Sequence, residues 1–160
     1  MIFIADFCQV FCRFGSMIVD YNSGYLNALL GLFDGNIPEY FDPTEKAPFK
    51  SFLEKEPAHY FVLLDNNKAF GAGGYAYESD TEGRIIWLLI DRNKHGKGFG
   101  KQLMNHFESE IKKNDAVNLI SLMTSQHTDK FYEKLNYRTT RTENDYWVKG
   151  MHLYYMEKQF

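Results

Sequence analysis

Residues 83–113 read GRIIWLLIDRNKHGKGFGKQLMNHFESEIKK, and this stretch decides the fold of the chain. Residues 85–90 form an unbroken apolar run of strand length, which predicts a strand buried on both faces. Residues 91–97 are polar and charged, and they predict a turn at the surface. Residues 98–113 carry apolar side chains at helical spacing and lysines in the last turn, so they predict a helix. The apolar stripe of this helix is Phe99, Leu103, Phe107 and Ile111.

Three glycines at alternate positions, Gly96, Gly98 and Gly100, separate the strand from the helix. Because glycine has no Cβ, the backbone can come close to a ligand there and point several N–H groups the same way. The N-terminus of the following helix adds a partial positive charge. The stretch therefore predicts a site for an anion such as a diphosphate. A glycine-rich turn without a ligand is the alternative, and the loop alone leaves both open.

Two common phosphate-binding motifs do not match this loop. A Walker A loop requires Ser or Thr after Gly-Lys, whereas Gln102 follows Gly100-Lys101, and its first glycine position is occupied by His95. The dinucleotide fingerprint G-x-G-x-x-G fails because the third glycine comes one residue too early.

The run 95–100, HGKGFG, instead resembles the Q/R-x-x-G-x-G/A loop of the GNAT superfamily of N-acetyltransferases, with a hydrophobic residue, Ile90, five positions upstream. The sequence departs from that pattern at its first position, His95. Two further stretches are similar to the family. Residues 131–137, FYEKLNY, resemble F-Y-x-x-x-G-F with Asn in place of the glycine, and residues 156–160, MEKQF, resemble the terminal M-x-K-x-L.

The predicted elements follow the order β-α-α-β-β-β-α-β-α-β-β, which is the order of the GNAT fold. The resemblance covers residues 17–160 and implies one α/β (α+β) domain. Its sheet is expected to be mixed, mostly antiparallel and twisted, with about seven strands, helices on both faces and a central parallel pair. The pair is predicted at residues 85–90 and 116–123, and the last two strands are predicted at 137–142 and 146–157.

Bulk properties agree with one globular domain. Of the 160 residues, 44% are hydrophobic and 17% aromatic, which disfavours disorder. A net charge of −3 gives no footprint for nucleic acid, and no apolar run is long enough to predict a membrane span. Both cysteines, Cys8 and Cys12, fall within residues 1–16, which we interpret as an extension outside the native domain. Cysteine usage is compatible with a cytoplasmic location.

The resemblance implies acetyl-coenzyme A as co-substrate, bound where the parallel pair opens, and no metal. The backbone of Leu88, Leu89 and Ile90 is then expected to pair with the pantetheine arm. His95 is expected to assist at the diphosphate with its side chain, and Ser125 lies near a position that contacts coenzyme A in the family. The diphosphate itself is expected on the amides of the glycine loop and helix start, namely Gly96, Lys97, Gly98, Phe99, Gly100 and Lys101.

Tyr132 is the candidate catalytic residue. It takes the place of a tyrosine that faces the sulfur in many members of the family, and a phenol there can protonate the departing thiolate. A packing role for Tyr132 is the alternative. The general base stays unassigned, because a glutamate used by some relatives is replaced here by Arg84. Three other residues could act through water, and each is also an ordinary solvated residue: Glu78, Glu82 and His127.

The predicted function is direct transfer of an acetyl group from acetyl-coenzyme A to a primary amine in a ternary complex. The acceptor is an amine-bearing small molecule or peptide that the sequence does not specify, and both a longer acyl donor and a homodimer stay open. The alternative is a non-catalytic GNAT-like domain that binds an acyl-coenzyme A as a sensor or scaffold. Six aromatic residues suggest an aromatic-lined acceptor pocket, with ordinary packing as the alternative: Tyr40, Phe41, Tyr75, Tyr77, Tyr146 and Trp147.

Overall fold

The computed structural model describes residues 15–160, so residues 1–14 of the predicted extension lie outside the described residues. The described residues form a single sheet with the strand order β1-β2-β3-β4-β5-β7-β6, in which only the β4–β5 pair is parallel. Its strands are β1 Ser16–Asp20, β2 Tyr60–Asp65, β3 Lys68–Ser79, β4 Glu82–Ile90, β5 Leu119–Ser125, β6 Arg138–Val148 and β7 Met151–Gln159. The helices are α1 Leu26–Asn36, α2 Lys46–Glu54, α3 Phe99–Ile111 and α4 Asp129–Glu133. The predicted element order and fold class are confirmed.

Helices cover both faces of the sheet, and each face has its own apolar cluster. α1 and α2 bury four side chains completely: Leu29, Phe33, Phe49 and Leu53. α3 buries its stripe on the opposite face, where Leu103, Met104, Phe107 and Ile111 are inaccessible to solvent. Burial of each such side chain stabilises the fold by about 1.5–3 kcal/mol. The helical spacing in the sequence therefore identified the packed side of α3 correctly, apart from Phe99, which is partly buried.

The start of α2 lies two residues before the predicted one. Because Pro48 would break a helix begun at Asp42, the sequence predicts a short turn followed by a second start at Pro48, and the short turn is present as a 3₁₀ turn at Pro43–Glu45. The observed helix begins at Lys46, and Pro48 lies in its first turn, where the missing N–H has no intrahelical partner to lose. The capping box just upstream is present as predicted, because Asp42 accepts from the Thr44 amide at 2.9 Å and Glu45 accepts from the Asp42 amide at 2.9 Å.

The C-terminal hairpin also differs from the prediction. The sequence predicts strands at residues 137–142 and 146–157, which places the connection between them near residues 143–145. In the structure β6 continues to Val148, and the turn lies at residues 149–150. β6 is an edge strand whose side chains are exposed on both faces, apart from the partly buried Trp147. Because neither face of β6 is in the core, its sequence lacks the alternation that marks a strand.

Glycines in β3 allow close packing of the protein on itself. A Cβ on Gly74 would lie 2.1 Å from the carbonyl oxygen of His59, and a Cβ on Gly71 would lie 2.6 Å from the side chain of Ile90. The sequence predicts a close approach by either another backbone or a ligand at these glycines. In the structure the groups that come close to these glycines belong to the start of β2 and to β4.

His106 on α3 makes the free energy of unfolding depend on pH in the acid range. Its Nε2 is buried and has no hydrogen-bond partner in the described part of the chain, and its ring packs edge-on against Phe61 with centroids 4.6 Å apart. Burial lowers the pKa of His106, a shift that nearby Glu110 opposes. Below pH about 6.5 the unfolded chain therefore binds a proton that the folded chain does not bind.

We expect the free energy of unfolding to be fully retained above pH about 6.5 and to fall as the pH drops below it, by at most about 1.4 kcal/mol per pH unit from this group. His106→Phe should remove that part of the pH dependence, whereas His59→Phe, at an exposed position, should keep it. Urea unfolding at pH 7.5 and 5.5 measures the difference. Equal pH dependence in wild type and His106→Phe would contradict the assignment.

Candidate active site

The site is a cleft that opens where the two parallel strands diverge. β4 and β5 pair only from Glu82 to Arg84, opposite Leu119 to Ser121. Beyond that point β4 carries a bulge at Trp87, whose φ is +47°, and its register against β3 shifts there. The hydroxyl of Tyr60 donates to the Trp87 carbonyl at 2.8 Å and holds the bulge. The separation of β4 from β5 leaves a cleft of about 850 Å³ between them.

The cleft explains one departure from the predicted burial of β4. The sequence predicts a strand buried on both faces from residue 85 to 90, but residues 86–88 are only partly buried. They line the cleft instead of meeting β5. In the described part of the sheet, no strand pairs with this edge of β4 after Arg84. The predicted residues Leu88, Leu89 and Ile90 all line the cleft.

The glycine loop forms the end of the cleft at the start of α3. Gly96 and Gly98 have φ of +73° and +88°, a region that glycine occupies without strain. The first intrahelical hydrogen bond of α3 is donated by Gln102 to the Gly98 carbonyl at 3.0 Å. The amides of residues 99–101 are therefore not used by the helix, and they lie at its positive end. This arrangement suits an anion.

Most of the loop residues predicted to bind the cofactor line this cleft: Gly96, Gly98, Phe99, Gly100 and Lys101. Lys97 does not, because its ammonium turns back and donates to the Asn93 carbonyl at 3.0 Å. Lys94 also lines the cleft and was not predicted as a site residue. Its ammonium pairs with Asp65 at 2.9 Å and lies over the Phe70 ring at 4.3 Å, contacts that only the folded chain brings together.

His95 lies at the entry to the glycine loop and lines the cleft. A ring nitrogen, Nε2, is 2.9 Å from the carbonyl oxygen of Ile90, the last residue of β4. The same oxygen accepts a hydrogen bond from Nδ2 of Asn36 at 3.1 Å. Asn36 is buried at the C-terminal end of α1, and it was not predicted as a site residue because its partner is 54 positions away in the chain.

Tyr132 lies on α4 with its side chain in the wall of the cleft. It is 7% exposed, and its ring packs against Phe131 and Tyr137. Burial raises the pKa of the Tyr132 phenol, so the hydroxyl stays protonated at neutral pH. Among residues 15–160 this hydroxyl has no hydrogen-bond partner, and Tyr132 is one of the residues that line the cleft. Asn136, just past α4, has φ of +69°, as predicted for a residue that ends a helix in the left-handed region.

Ser125, at the end of β5, also lines the cleft. It is buried, and its Oγ lies 3.4 Å from the backbone amide of His127, a long contact. Next to it, the hydroxyls of Thr124 and Thr128 are hydrogen-bonded at 2.5 Å. Both threonines line the cleft and were not predicted. These three hydroxyl side chains make this wall of the cleft polar.

Four of the six predicted acceptor-pocket aromatics meet at the cleft: Tyr40, Phe41, Tyr146 and Trp147. The other two do not line it. Tyr75 is buried in the cluster under α3, and Tyr77 is exposed at the end of β3 beside His59. A role of these two tyrosines in the acceptor pocket therefore stays a prediction.

Arg84 also lines the cleft, at the last paired position of β4. Its guanidinium lies 3.2 Å from Glu78 and 3.8 Å from Glu82. Glu82 accepts a hydrogen bond from the buried Ser121 at 2.5 Å. Neither glutamate lines the cleft, whereas His127 does. The contacts do not single out a general base.

Comparison with known proteins agrees with this geometry. The family model described as Acetyltransferase (GNAT) domain matches residues 35–160. The chain belongs to the GNAT acetyltransferases. As a GNAT acetyltransferase it is an acyltransferase enzyme.

Individual relatives extend over nearly the whole chain. The N-alpha-acetyltransferase 30 of Schizosaccharomyces pombe is 26% identical over 140 residues, covering 83% of this chain and 91% of that protein. The crystal structure of Ard1 from Thermoplasma volcanium has a TM-score of 0.78 at 19% identity and covers 91% of this chain and 97% of its own. An aminoglycoside 6'-N-acetyltransferase complexed with coenzyme A has a TM-score of 0.70 at 17% identity, covering 89% and 96%. The two structures share the fold of this GNAT chain.

Within residues 15–160, no group of three or more His, Cys, Asp or Glu side chains is placed to hold a metal ion. No helix in this range is long and apolar enough to cross a membrane.

Proposed function

We propose that this GNAT enzyme transfers an acetyl group from acetyl-coenzyme A to a primary amine by direct attack within a ternary complex. The observation that carries the proposal is the meeting of three features in one cleft. These are the unpaired edge of β4, the amides at the start of α3 and the phenol of Tyr132. Binding of coenzyme A by a protein of the same fold supports the donor.

Each part of the cleft has its own role in binding the donor. The amides of residues 96–101 hold the diphosphate at the positive end of α3, and Lys101 adds charge. The backbone of residues 88–90 pairs with the pantetheine arm in the manner of an added strand. The diphosphate and the edge of β4 then direct the thioester toward the part of the cleft that contains Tyr132. Ser125 lies on the β5 wall opposite β4.

The transfer step breaks one bond and forms one bond. The amine nitrogen attacks the thioester carbonyl carbon, the new C–N bond forms, and the C–S bond breaks. The thiolate takes a proton from the hydroxyl of Tyr132, and the amine loses a proton to solvent or to a base in the cleft. Solvent then returns a proton to the Tyr132 phenolate. The products are the acetamide and free coenzyme A. An amide donor on the β4 edge is suitably placed to stabilise the oxyanion.

The acceptor enters on the side formed by Tyr40, Phe41, Tyr146 and Trp147. Similarity to an N-alpha-acetyltransferase supports a peptide with a free α-amino group as the first acceptor to test. The test follows thiol release from acetyl-coenzyme A with a heptapeptide, the same peptide blocked at its N-terminus, spermidine, lysine and an aminoglycoside. Thiol release with at least one free amine is expected. Binding of acetyl-coenzyme A without release across the panel would contradict the proposed transfer.

A further inference from the structure

A clamp of side chains joins the acceptor side of the cleft to the glycine loop. The connection between α1 and α2 carries Glu39 and Tyr40, and the segment before the glycine loop carries Arg92 and His95. Glu39 and Arg92 form an ion pair, and the Arg92 guanidinium lies 5.8 Å from the centre of the Tyr40 ring. The Tyr40 and His95 rings meet edge to face, with centroids 5.0 Å apart and planes at 70°.

The hydrogen bond of His95 fixes what its ring can do. The Ile90 carbonyl oxygen can only accept, so the nitrogen 2.9 Å away, Nε2, must carry the proton. A neutral imidazole has a single N–H, and Ile90 uses it. While that bond is kept, neutral His95 has no proton left to donate to a diphosphate. The loop amides then bind the anion without help from this side chain.

We propose that His95 is a positioning residue that couples the two halves of the site. Through Ile90 it fixes the direction in which the chain leaves β4, and hence the direction of the amides in the glycine loop. Through Tyr40 it supports the aromatic wall on the acceptor side. The inference rests on the proposed function, because it assumes that the loop binds the diphosphate of acetyl-coenzyme A.

Two substitutions separate the two contacts of His95. His95→Phe keeps a ring against Tyr40 and removes the donor to Ile90. His95→Gln keeps an N–H donor and removes the ring. His59→Phe is the matched control, because His59 is exposed and makes a similar edge contact with Tyr77, at 5.8 Å and 83°, outside the cleft.

Calorimetry with acetyl-coenzyme A and with S-acetylpantetheine, which lacks the diphosphate, tests the contact with Ile90. His95→Phe should weaken acetyl-coenzyme A binding about fivefold, as expected for one lost hydrogen bond. It should leave S-acetylpantetheine binding and the salt dependence of acetyl-coenzyme A binding unchanged, and His59→Phe should change none of these. Loss of a charged phosphate contact would instead reduce the salt dependence. That reduction, or an unchanged acetyl-coenzyme A affinity, would overturn the inference.

The contact with Tyr40 is tested by combining substitutions. Tyr40→Leu should weaken acetyl-coenzyme A binding about threefold in the wild-type background and have no effect in His95→Gln, because the ring that transmits it is gone. Tyr77→Leu is the control for loss of a similar tyrosine. Equal effects of Tyr40→Leu in both backgrounds would overturn the coupling. Failure of the wild-type protein to bind acetyl-coenzyme A would instead overturn the proposed function, and thermal unfolding of each variant verifies that it is folded.

Discussion

Tyr132→Phe is expected to lower kcat by roughly 10²–10⁴-fold while leaving acetyl-coenzyme A affinity nearly unchanged. The substitution removes only the hydroxyl that would protonate the leaving thiolate. Because burial raises the pKa of Tyr132, this group should cause no loss of activity between pH 7 and pH 10. The measurement is kcat over that pH range beside the calorimetric affinity of the same protein.

The neighbouring Tyr137 supplies the control for Tyr132. Its ring is also buried and lies 6.1 Å from that of Tyr132, but its hydroxyl donates to Glu108 at 3.0 Å and does not line the cleft. Tyr137→Phe should keep kcat and lose some stability. An unchanged kcat in Tyr132→Phe would make Tyr132 a packing residue. A fall of less than tenfold would indicate a hydrogen bond that positions the sulfur and does not transfer the proton.

Glu108→Leu is expected to destabilise the fold by roughly 3 kcal/mol. Its carboxylate on α3 pairs with the Lys158 ammonium of β7 at 2.7 Å and accepts the Tyr137 hydroxyl. The two charged side chains are only 12% and 18% exposed, so solvent screens the remaining charge poorly when one partner is removed. Urea unfolding monitored by circular dichroism gives the change in the free energy of unfolding.

A double substitution distinguishes loss of the ion pair from loss of packing. Glu108→Leu with Lys158→Met removes both charges and should recover much of the stability, because neither variant side chain leaves an unpaired charge. The exposed pair of Lys130 and Glu133 provides the contrast, since Glu133→Gln should change stability little. A double variant that is as unstable as Glu108→Leu would show that packing at Glu108 matters more than its charge.

The glycine loop was predictable because its chemistry is local. Gly96 and Gly98 lie between a strand and a helix, Gly100 lies in the first turn of that helix, and this order alone directs amides toward an anion. Tyr132 was predictable from a resemblance in the adjacent sequence. The clamp around His95 was not, because Tyr40 comes from the connection between α1 and α2 and Asn36 from the end of α1, both more than fifty positions earlier.

Edge strands set a second limit on prediction from the sequence. The residues of β6 face solvent on both sides, so burial imposes no alternation on them, and a strand there resembles a loop. A different limit applies to Arg84, Glu78 and Glu82, which lie on the central strands β3 and β4. Their contacts depend on strand register and on a turn that composition does not specify.

The bulge at Trp87 bears on how the acceptor specificity of this fold can change. Its carbonyl is held by Tyr60, and its ring packs against Phe33, Phe49 and Phe52 of the first two helices. The opening between β4 and β5 is thus held by the hydrophobic core under the first two helices. Variation in the hairpin at residues 149–150 can therefore change which amine is accepted while this opening keeps its shape, whereas a change at Tyr40 would also reach the glycine loop through His95.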